Sequence, residues 1–400
     1  MRVLLLAPQP FFAERGTPIA VRQLAETLCA AGHAVDLLVY HEGEDIAFPG
    51  LRLLRIPRLP LVRGVGIGFS WKKLACDAAL VASFLRLARP GRYQVVHAVE
   101  ETIFPAVLFA RRHRAALVYD MDSDLTDQLL AKRSLLRPLR GMFTALERWA
   151  VRRADLTLAV CERLAAKTRA LAPGARVRVL EDPALTAACE GPVEDLRAHA
   201  RPGDALALYV GNLEPYQGMD LLLEGFALAD AALPLTLAVV GGAPADIERY
   251  RARAGALGLA KRVRFLGPRP VATLGGLLAQ ADILVSPRAQ GENTPMKIYS
   301  YLASGRCTLA TDIASHTQVL DDSCALLAPP EPAALAAALQ RLATDPPLRE
   351  TLGRAGAQRA NERYSPEAYR AKLLAAYAEL PGARMAAGRA GSAGAGGAGA

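Results

Sequence analysis

The stretch Ser286-Pro-Arg-Ala-Gln-Gly-Glu-Asn-Thr-Pro-Met-Lys-Ile-Tyr-Ser-Tyr-Leu-Ala-Ser-Gly305 decides how this chain is read. A short apolar run, Ala281-Asp-Ile-Leu-Val-Ser286, leads into it, and a second strand pattern, Cys307-Thr-Leu-Ala310, follows. Between them a polar, Gly-containing turn opens a helical apolar pattern at Pro295, a residue that a first helical turn tolerates. Strand, hydrogen-bonding loop and helix N-terminus together make a seat for an anion, because free backbone N–H groups and the positive dipole end converge there. Glu292, Asn293 and Thr294 stand just before the expected turn, Lys297 lies inside it and Arg288 flanks it on the loop.

The same rhythm runs through most of the 400 residues. Short apolar runs alternate with helical patterns, which predicts parallel α/β sheets. In the first half the strand candidates are Val3–Leu6, Val35–Val39, Leu51–Ile56, Val95–His97, Leu117–Tyr119, Leu156–Ala159 and Val177–Leu180, with helices such as Ile19–Ala31, Trp71–Ala88 and Met142–Arg153 between them. After a polar, Pro-containing stretch the pattern restarts with Ala205–Val210, Leu235–Val240, Val263–Phe265, Ile283–Ser286, Thr308–Ala310 and Ala325–Leu327. The prediction is two Rossmann-like doubly wound domains, 1–185 and 186–364, facing across a cleft, with ligands at the carboxyl ends of the strands. Residues 365–382 read as a last helix packing back on the first domain, and 383–400 as a disordered Gly/Ala tail.

Composition narrows the class. The chain is 52% hydrophobic and 22% charged, enough to bury two cores. A formal charge of +9, concentrated in runs such as Arg111-Arg-His-Arg114, fits either an anionic partner or a solvated basic face. Six cysteines without paired spacing predict reduced thiols and a cytoplasmic setting. The Met1–Pro8 run is too short for a signal peptide, and Leu74–Ala88 contains Asp77 and Arg86 and falls short of the roughly 20 residues of a membrane span. No recognised nucleic-acid module is present, so no nucleic-acid partner is expected.

With the restarted α/β pattern and the 292–305 segment in hand, residues 1–380 resemble a glycosyltransferase of family 4, whose members have the two-domain GT-B fold. The resemblance implies transfer of a sugar from a nucleotide-diphosphate donor, as co-substrate, to an acceptor hydroxyl. It implies retention of configuration and no metal or further cofactor. The expected partners are a nucleotide sugar and an acceptor glycan or lipid-linked sugar, in cell-envelope polysaccharide or glycolipid synthesis. Glu292 matches the first of the family's two spaced glutamates, which holds the donor sugar; the second position, the ribose grip, falls on Ser300. Tyr209-Val-Gly-Asn-Leu-Glu-Pro-Tyr-Gln-Gly218 matches the segment opening the second domain, with Gly211 in its loop and with Asn212 and Gln217 where the family has a diphosphate-binding arginine and lysine. Glu14-Arg-Gly-Thr-Pro18 matches the first-domain glycine loop, placing Gly16 and Thr17 against the donor phosphates. Losing two charged hydrogen bonds without replacement weakens diphosphate binding by about 3–6 kcal/mol. The expectation is therefore that Arg288 and Lys297 have taken over the charge.

Other candidates carry open alternatives. His97 ends the fourth strand pattern and either contacts substrate or bonds nearby backbone, while Glu100 and Glu101 orient an acceptor or simply favour a helix N-terminus. Asp122, in Asp120-Met-Asp-Ser-Asp124, falls where the family has a histidine near the reacting centre; acid/base work, a metal, or helix capping by Ser123 or Asp124 are the choices. Gly241 and Gly242 admit a ligand or make a tight turn. Leu59–Ala88, with Arg63, Lys72 and Lys73 beside Val65, Ile67, Phe69 and Trp71, suits either an anionic membrane surface, peripheral at its inner face, or a core helix behind a basic loop. The rival functions are a non-catalytic scaffold subunit, favoured by Asn212, Gln217 and Ser300, and a GT-B phosphorylase or epimerase.

Overall fold

The computed structural model describes residues 1–14, 16–66, 70–132, 134–185 and 192–381. Arg15 of the glycine loop, Ile67 and Phe69 of the basic-aromatic stretch, Cys189 and the 383–400 tail lie outside the described residues. The chain forms two compact units. One is Met1–Glu181 with the chain from Arg370 onward, and the other is Asp182–Tyr369.

In the first unit, β1 (Arg2–Leu6), β2 (Ala34–Val39), β3 (Leu51–Arg55), β4 (Val95–Val99), β5 (Ala116–Met121), β6 (Leu156–Ala159) and β7 (Val177–Val179) form one sheet among the described residues, in the order β3-β2-β1-β4-β5-β6-β7. Every pairing is parallel. The central strands are Val/Leu-rich at successive positions because both faces are covered by helices; all five residues of β4 are buried. Ser70 starts the helix Trp71–Leu87 by accepting from the Lys73 N–H at 3.1 Å. From Arg370 the chain belongs to this unit, held by Lys372 to Glu181 at 2.8 Å and by Arg178 to both carboxylate oxygens of Glu379.

The second unit repeats the plan with β8 (Ala205–Val210), β9 (Leu235–Val240), β10 (Val263–Gly267), β11 (Ile283–Ser286), β12 (Cys307–Thr311) and β13 (Leu326–Ala328), ordered β10-β9-β8-β11-β12-β13. The period-2 alternation of strands divides its core. Ala207, Tyr209, Leu237, Val239, Ile283 and Val285 meet the helices Met219–Leu228 and Pro332–Thr344 on one face. Leu206, Leu208, Ala238, Val240 and Leu284 face Leu277, Leu278 and Tyr301 on the other. In each sheet the strand order reverses once, between β1 and β4 and between β8 and β11. Loops leaving the carboxyl ends on either side of such a reversal splay apart and leave room for a ligand.

Candidate active site

In the second unit three loops converge at the ends of β9, β8 and β11. After β8 the chain passes through Gly211 and a single tight turn, Pro215–Gln217, to Gly218 with φ +78°. A Cβ on Gly218 would stand 1.9 Å from the Pro287 carbonyl oxygen, so only glycine lets this loop touch the one after β11. Gly241 (φ +109°) does the same after β9, where a Cβ would lie 2.1 Å from the Gly211 oxygen. Gly242 packs on Leu213 and Ile247, which favours the tight-turn side of its two readings.

Lys297 points into this convergence. Its ammonium lies 4.0 Å from the centroid of the Tyr209 ring and 3.1 Å from where a Cβ of Gly211 would sit. The buried nitrogen has no hydrogen-bond partner among the described residues. Burial, and then the Arg288 charge, push its pKa down to about 7. Arg288 donates from Nε to the Gln290 carbonyl at 2.8 Å and from a terminal nitrogen to the Asn293 carbonyl at 2.7 Å, with its guanidinium 5.2 Å from the Tyr216 ring centroid. Burial lowers its pKa too. Among the described residues neither cation pairs with a carboxylate.

Behind them sits a residue that sequence reasoning missed. His316 is fully buried and its ring touches the Thr311 carbonyl through Nδ1 at 2.8 Å and Ser286 Oγ through Nε2 at 3.0 Å. A carbonyl only accepts, so Nδ1 carries the proton and Nε2 accepts from the serine. Burial pushes this pKa to about 4, keeping the ring neutral beside the two cations. Thr311 in turn donates its hydroxyl to the Arg288 carbonyl at 2.5 Å.

The remaining expectations for this unit divide. Asn212 is exposed, and its carbonyl accepts the Tyr209 hydroxyl at 2.5 Å. Gln217 and Thr294 are buried with side-chain oxygens that lack a partner among the described residues, whereas Glu292 is exposed and its carbonyl accepts from Gln318 at 2.8 Å. Two expectations are corrected. The helix starts at Lys297, not Pro295: Met296 is its cap, Pro295 precedes it, and the Ile298 N–H reaches back to the Pro295 carbonyl at 2.9 Å. Ser300, expected at a ribose, is 2% exposed, and its hydroxyl accepts the Leu185 N–H at 3.0 Å, tethering the segment that enters this unit.

The first unit gathers carboxyl groups instead. His97 does not end its strand: Ala98 and Val99 continue β4, and the ring lies fully buried at mid-strand, 2.6 Å from the Tyr377 hydroxyl through Nδ1 and 3.1 Å from Asp120 through Nε2. Glu100 follows β4 with φ +53°, a conformation that costs a non-glycine residue about 1–3 kcal/mol. Its carboxylate accepts the Ser123 hydroxyl at 2.8 and 3.0 Å, and burial raises its pKa to about 8. Glu147, unforeseen on the buried stripe of the helix Arg140–Arg153, accepts from Thr126 at 3.0 Å and is pushed by burial to about 7. Asp124 caps the helix Leu125–Lys132, accepting the Asp127 N–H at 2.7 Å, and Glu101 pairs with Lys73. Asp122 sits half-buried between β5 and that helix. Gly16 and Thr17 are not in a loop before a helix: the helix Gly16–Ala30 begins with them, three residues earlier than its apolar pattern.

The chain matches two family models, "Glycosyl transferase 4-like domain" over residues 15–182 and "Glycosyl transferases group 1" over 204–345. It is 26% identical over 372 residues to the phosphatidyl-myo-inositol mannosyltransferase of Mycobacterium leprae, covering 90% of this chain and 91% of that one. It is 30% identical over 222 residues to the D-inositol 3-phosphate glycosyltransferase of Jonesia denitrificans, spanning about half of each (50% and 51%). Among solved structures it is similar to the sucrose-phosphate synthase of Thermosynechococcus elongatus, with TM-score 0.75 and 22% identity over 94% of this chain and 98% of that one. It also resembles an Anabaena protein in complex with UDP-glucose, with TM-score 0.71 and 17% identity over 95% of this chain and all of that one.

Proposed function

Because the chain belongs to the group 1 glycosyltransferases and has their GT-B fold, we propose that it moves a hexosyl group from a nucleotide-diphosphate donor to an acceptor hydroxyl of a cell-envelope polysaccharide or glycolipid precursor, with retention. The observation that carries this reading is the Lys297 ammonium, without a hydrogen-bond partner among the described residues, beside Arg288 and packed against the Gly211 loop where the resemblance puts the diphosphate. Two partly buried cations without a carboxylate among the described residues are costly in the unliganded protein and become favourable when an anion arrives. In this reading Lys297 and Arg288 replace the charges missing at Asn212 and Gln217. They hold the leaving diphosphate as negative charge develops on it, with preorganised dipoles of the converging loops beside them. Glu292 and Asn293 hold the donor sugar, and Asp122 lies toward the acceptor.

Two relatives are named for phosphatidyl-myo-inositol, a lipid, and in this reading the acceptor of this chain also sits at a membrane surface. No helix among the described residues is long and apolar enough to cross a membrane. Beside Leu59–Ala88, where Leu61, Trp71 and Leu74 are exposed, a second surface suited to an anionic interface is the face along 135–153. There Leu135 (93% exposed) and Leu139 on the 3-10 helix Ser134–Leu139, and Met142 and Leu146 on the helix Arg140–Arg153, are exposed in a segment that also exposes Arg137, Arg148, Arg152 and Arg153, and the sole acid of the segment, Glu147, is buried. Five free cysteines among the described residues fit a reducing, cytoplasmic side.

The test is a thermal-shift and turnover screen with UDP-glucose, UDP-galactose and GDP-mannose on the wild type, Lys297→Ala and Arg288→Ala. A bound donor raises the wild-type melting temperature. Each variant should lose about 1.5–3 kcal/mol of donor affinity. Unchanged affinity in both would remove the cation assignment, and no binding or turnover by the wild type would remove the transferase reading.

A further inference from the structure

We propose that Tyr377, His97 and Asp120 form a hydrogen-bonded line that aims the Asp120 carboxylate at the acceptor hydroxyl, a role resting on the transferase reading above. Asp120 is the catalytic residue here, and His97 and Tyr377 are positioning residues. The line is built from inside the first unit outward. An aspartate carboxylate only accepts, so the His97 Nε2 at 3.1 Å from Asp120 carries the proton. His97 Nδ1 is then the acceptor, and the Tyr377 hydroxyl at 2.6 Å donates to it. Burial raises the Tyr377 pKa well above the ordinary phenol value, so the phenol keeps the proton this arrangement needs. The two rings lie nearly parallel, 23° apart with centroids at 6.0 Å, which fixes the imidazole plane.

Several features separate this line from a satisfied core histidine. His97 and Tyr377 are almost fully buried, but the Asp120 side chain is 18% exposed, so the line ends at solvent. Asp120 is the penultimate residue of β5 and pairs in register with Val99, placing it at the carboxyl edge beside the strained Glu100. A valine would fill the mid-strand position of β4 without any polar partner. The tyrosine comes from a helix 280 residues away in sequence, anchored by Lys372–Glu181 and Arg178–Glu379. Ordering so distant a segment to satisfy one imidazole is explained if the carboxylate at the other end must hold one direction. An oriented carboxylate accepts a hydrogen bond from the incoming O–H and fixes its oxygen toward the anomeric carbon.

The experiment compares wild type, Tyr377→Phe and Asp120→Asn in steady-state cleavage of UDP-glucose, UDP-galactose and GDP-mannose with water as acceptor, alongside nitrogen NMR of the His97 ring. Tyr377→Phe keeps the ring and removes only the hydroxyl. The expected result is a kcat about tenfold lower for Tyr377→Phe and about a hundredfold lower for Asp120→Asn, with donor KM within about twofold of wild type. The wild-type imidazole should be protonated on Nε2, with an Nδ1 signal that moves when the tyrosine hydroxyl is removed. An active wild type whose Tyr377→Phe variant matches it in kcat, or a His97 protonated on Nδ1, overturns the proposal alone. A wild type that neither binds nor cleaves any of the three donors overturns the transferase reading, and the proposal falls with it.

Discussion

Replacing Lys297 by methionine should make the empty protein more stable and its nucleotide binding worse. The lysine's pKa falls from 10.5 to about 7 on folding, mainly because burial strips water from the ammonium. Between those values the unfolded chain binds more protons than the native one, so wild-type stability rises with pH across the window. At pH 7 the cost of holding this residue is at most about 4 kcal/mol, falling to about 2 kcal/mol at pH 9. Methionine has nearly the same length, keeps the contact with the Tyr209 ring and removes the charge. If half the ceiling is realised, the gain is about 2 kcal/mol, or roughly 4–8 °C in Tm for a unit of this size. Donor or UDP affinity should fall about 10- to 150-fold from loss of one charged hydrogen bond. Calorimetric melting at pH 7 and pH 9, with and without UDP, reads all of this. A methionine variant that melts lower than wild type, gains as much at pH 9 as at pH 7, or binds UDP undiminished refutes the reasoning.

The other predictions concern different regions. Glu147→Gln preserves shape and the Thr126 contact; because the native pKa is raised from 4.5 to about 7, the stability this glutamate contributes below pH 4.5 is lost as pH rises through 7. The variant should therefore unfold at higher temperature than wild type at pH 8, by up to about 3 kcal/mol, and lose that advantage by pH 5. Gly218→Ala forces a Cβ onto the Pro287 carbonyl at positive φ and should cost about 2–4 kcal/mol in urea unfolding; a change under about 0.5 kcal/mol would show that the loop contact is soft. Changing both Leu139 and Leu146 to serine should cut sedimentation with vesicles of anionic lipid about tenfold and leave UDP binding unchanged, and equal sedimentation would move the interface elsewhere.

The strands were legible because a parallel sheet covered on both faces leaves apolar runs that local composition cannot hide, as in Leu235–Val240. What misled was polarity at strand and helix ends. His97 looked like a terminus because a histidine interrupts the apolar run, and only Tyr377 and Asp120, remote in sequence, make its burial tolerable. Pro295 looked like a first helical turn because proline fits there, but the backbone spends Pro295 and Met296 on entering the helix. Gly16 and Thr17 carry no apolar period, so the sequence pattern begins their helix only at Ile19. The loop cations were readable as types and positions, whereas the isolation of Lys297 depends on Tyr209, which lies across the sheet in β8. His316 carries no local pattern, whereas Glu147 carries a weak one, a charged residue on the stripe shared with Ala150 and Val151.

The two units carry opposite electrostatic burdens, and this bears on the proposed division of the chemistry between them. In the second, burial depresses the basic groups Lys297 and Arg288; in the first, it raises the acids Glu100 and Glu147. Each arrangement disfavours its own charged form, so neither is explained by stability. On the proposed function, a diphosphate supplies the negative charge that the second unit lacks, and a hydroxyl-bearing acceptor supplies hydrogen-bond donors to the carboxyl groups at the edge of the first. The pH response has opposite sign as well: the first unit loses stability as pH rises through about 7–8, and the second gains it from about 7 to 10.5. A nucleotide should therefore protect the second unit most at and below about pH 7, where the cost of Lys297 has reached its ceiling, and leave the loss of first-unit stability with rising pH unchanged.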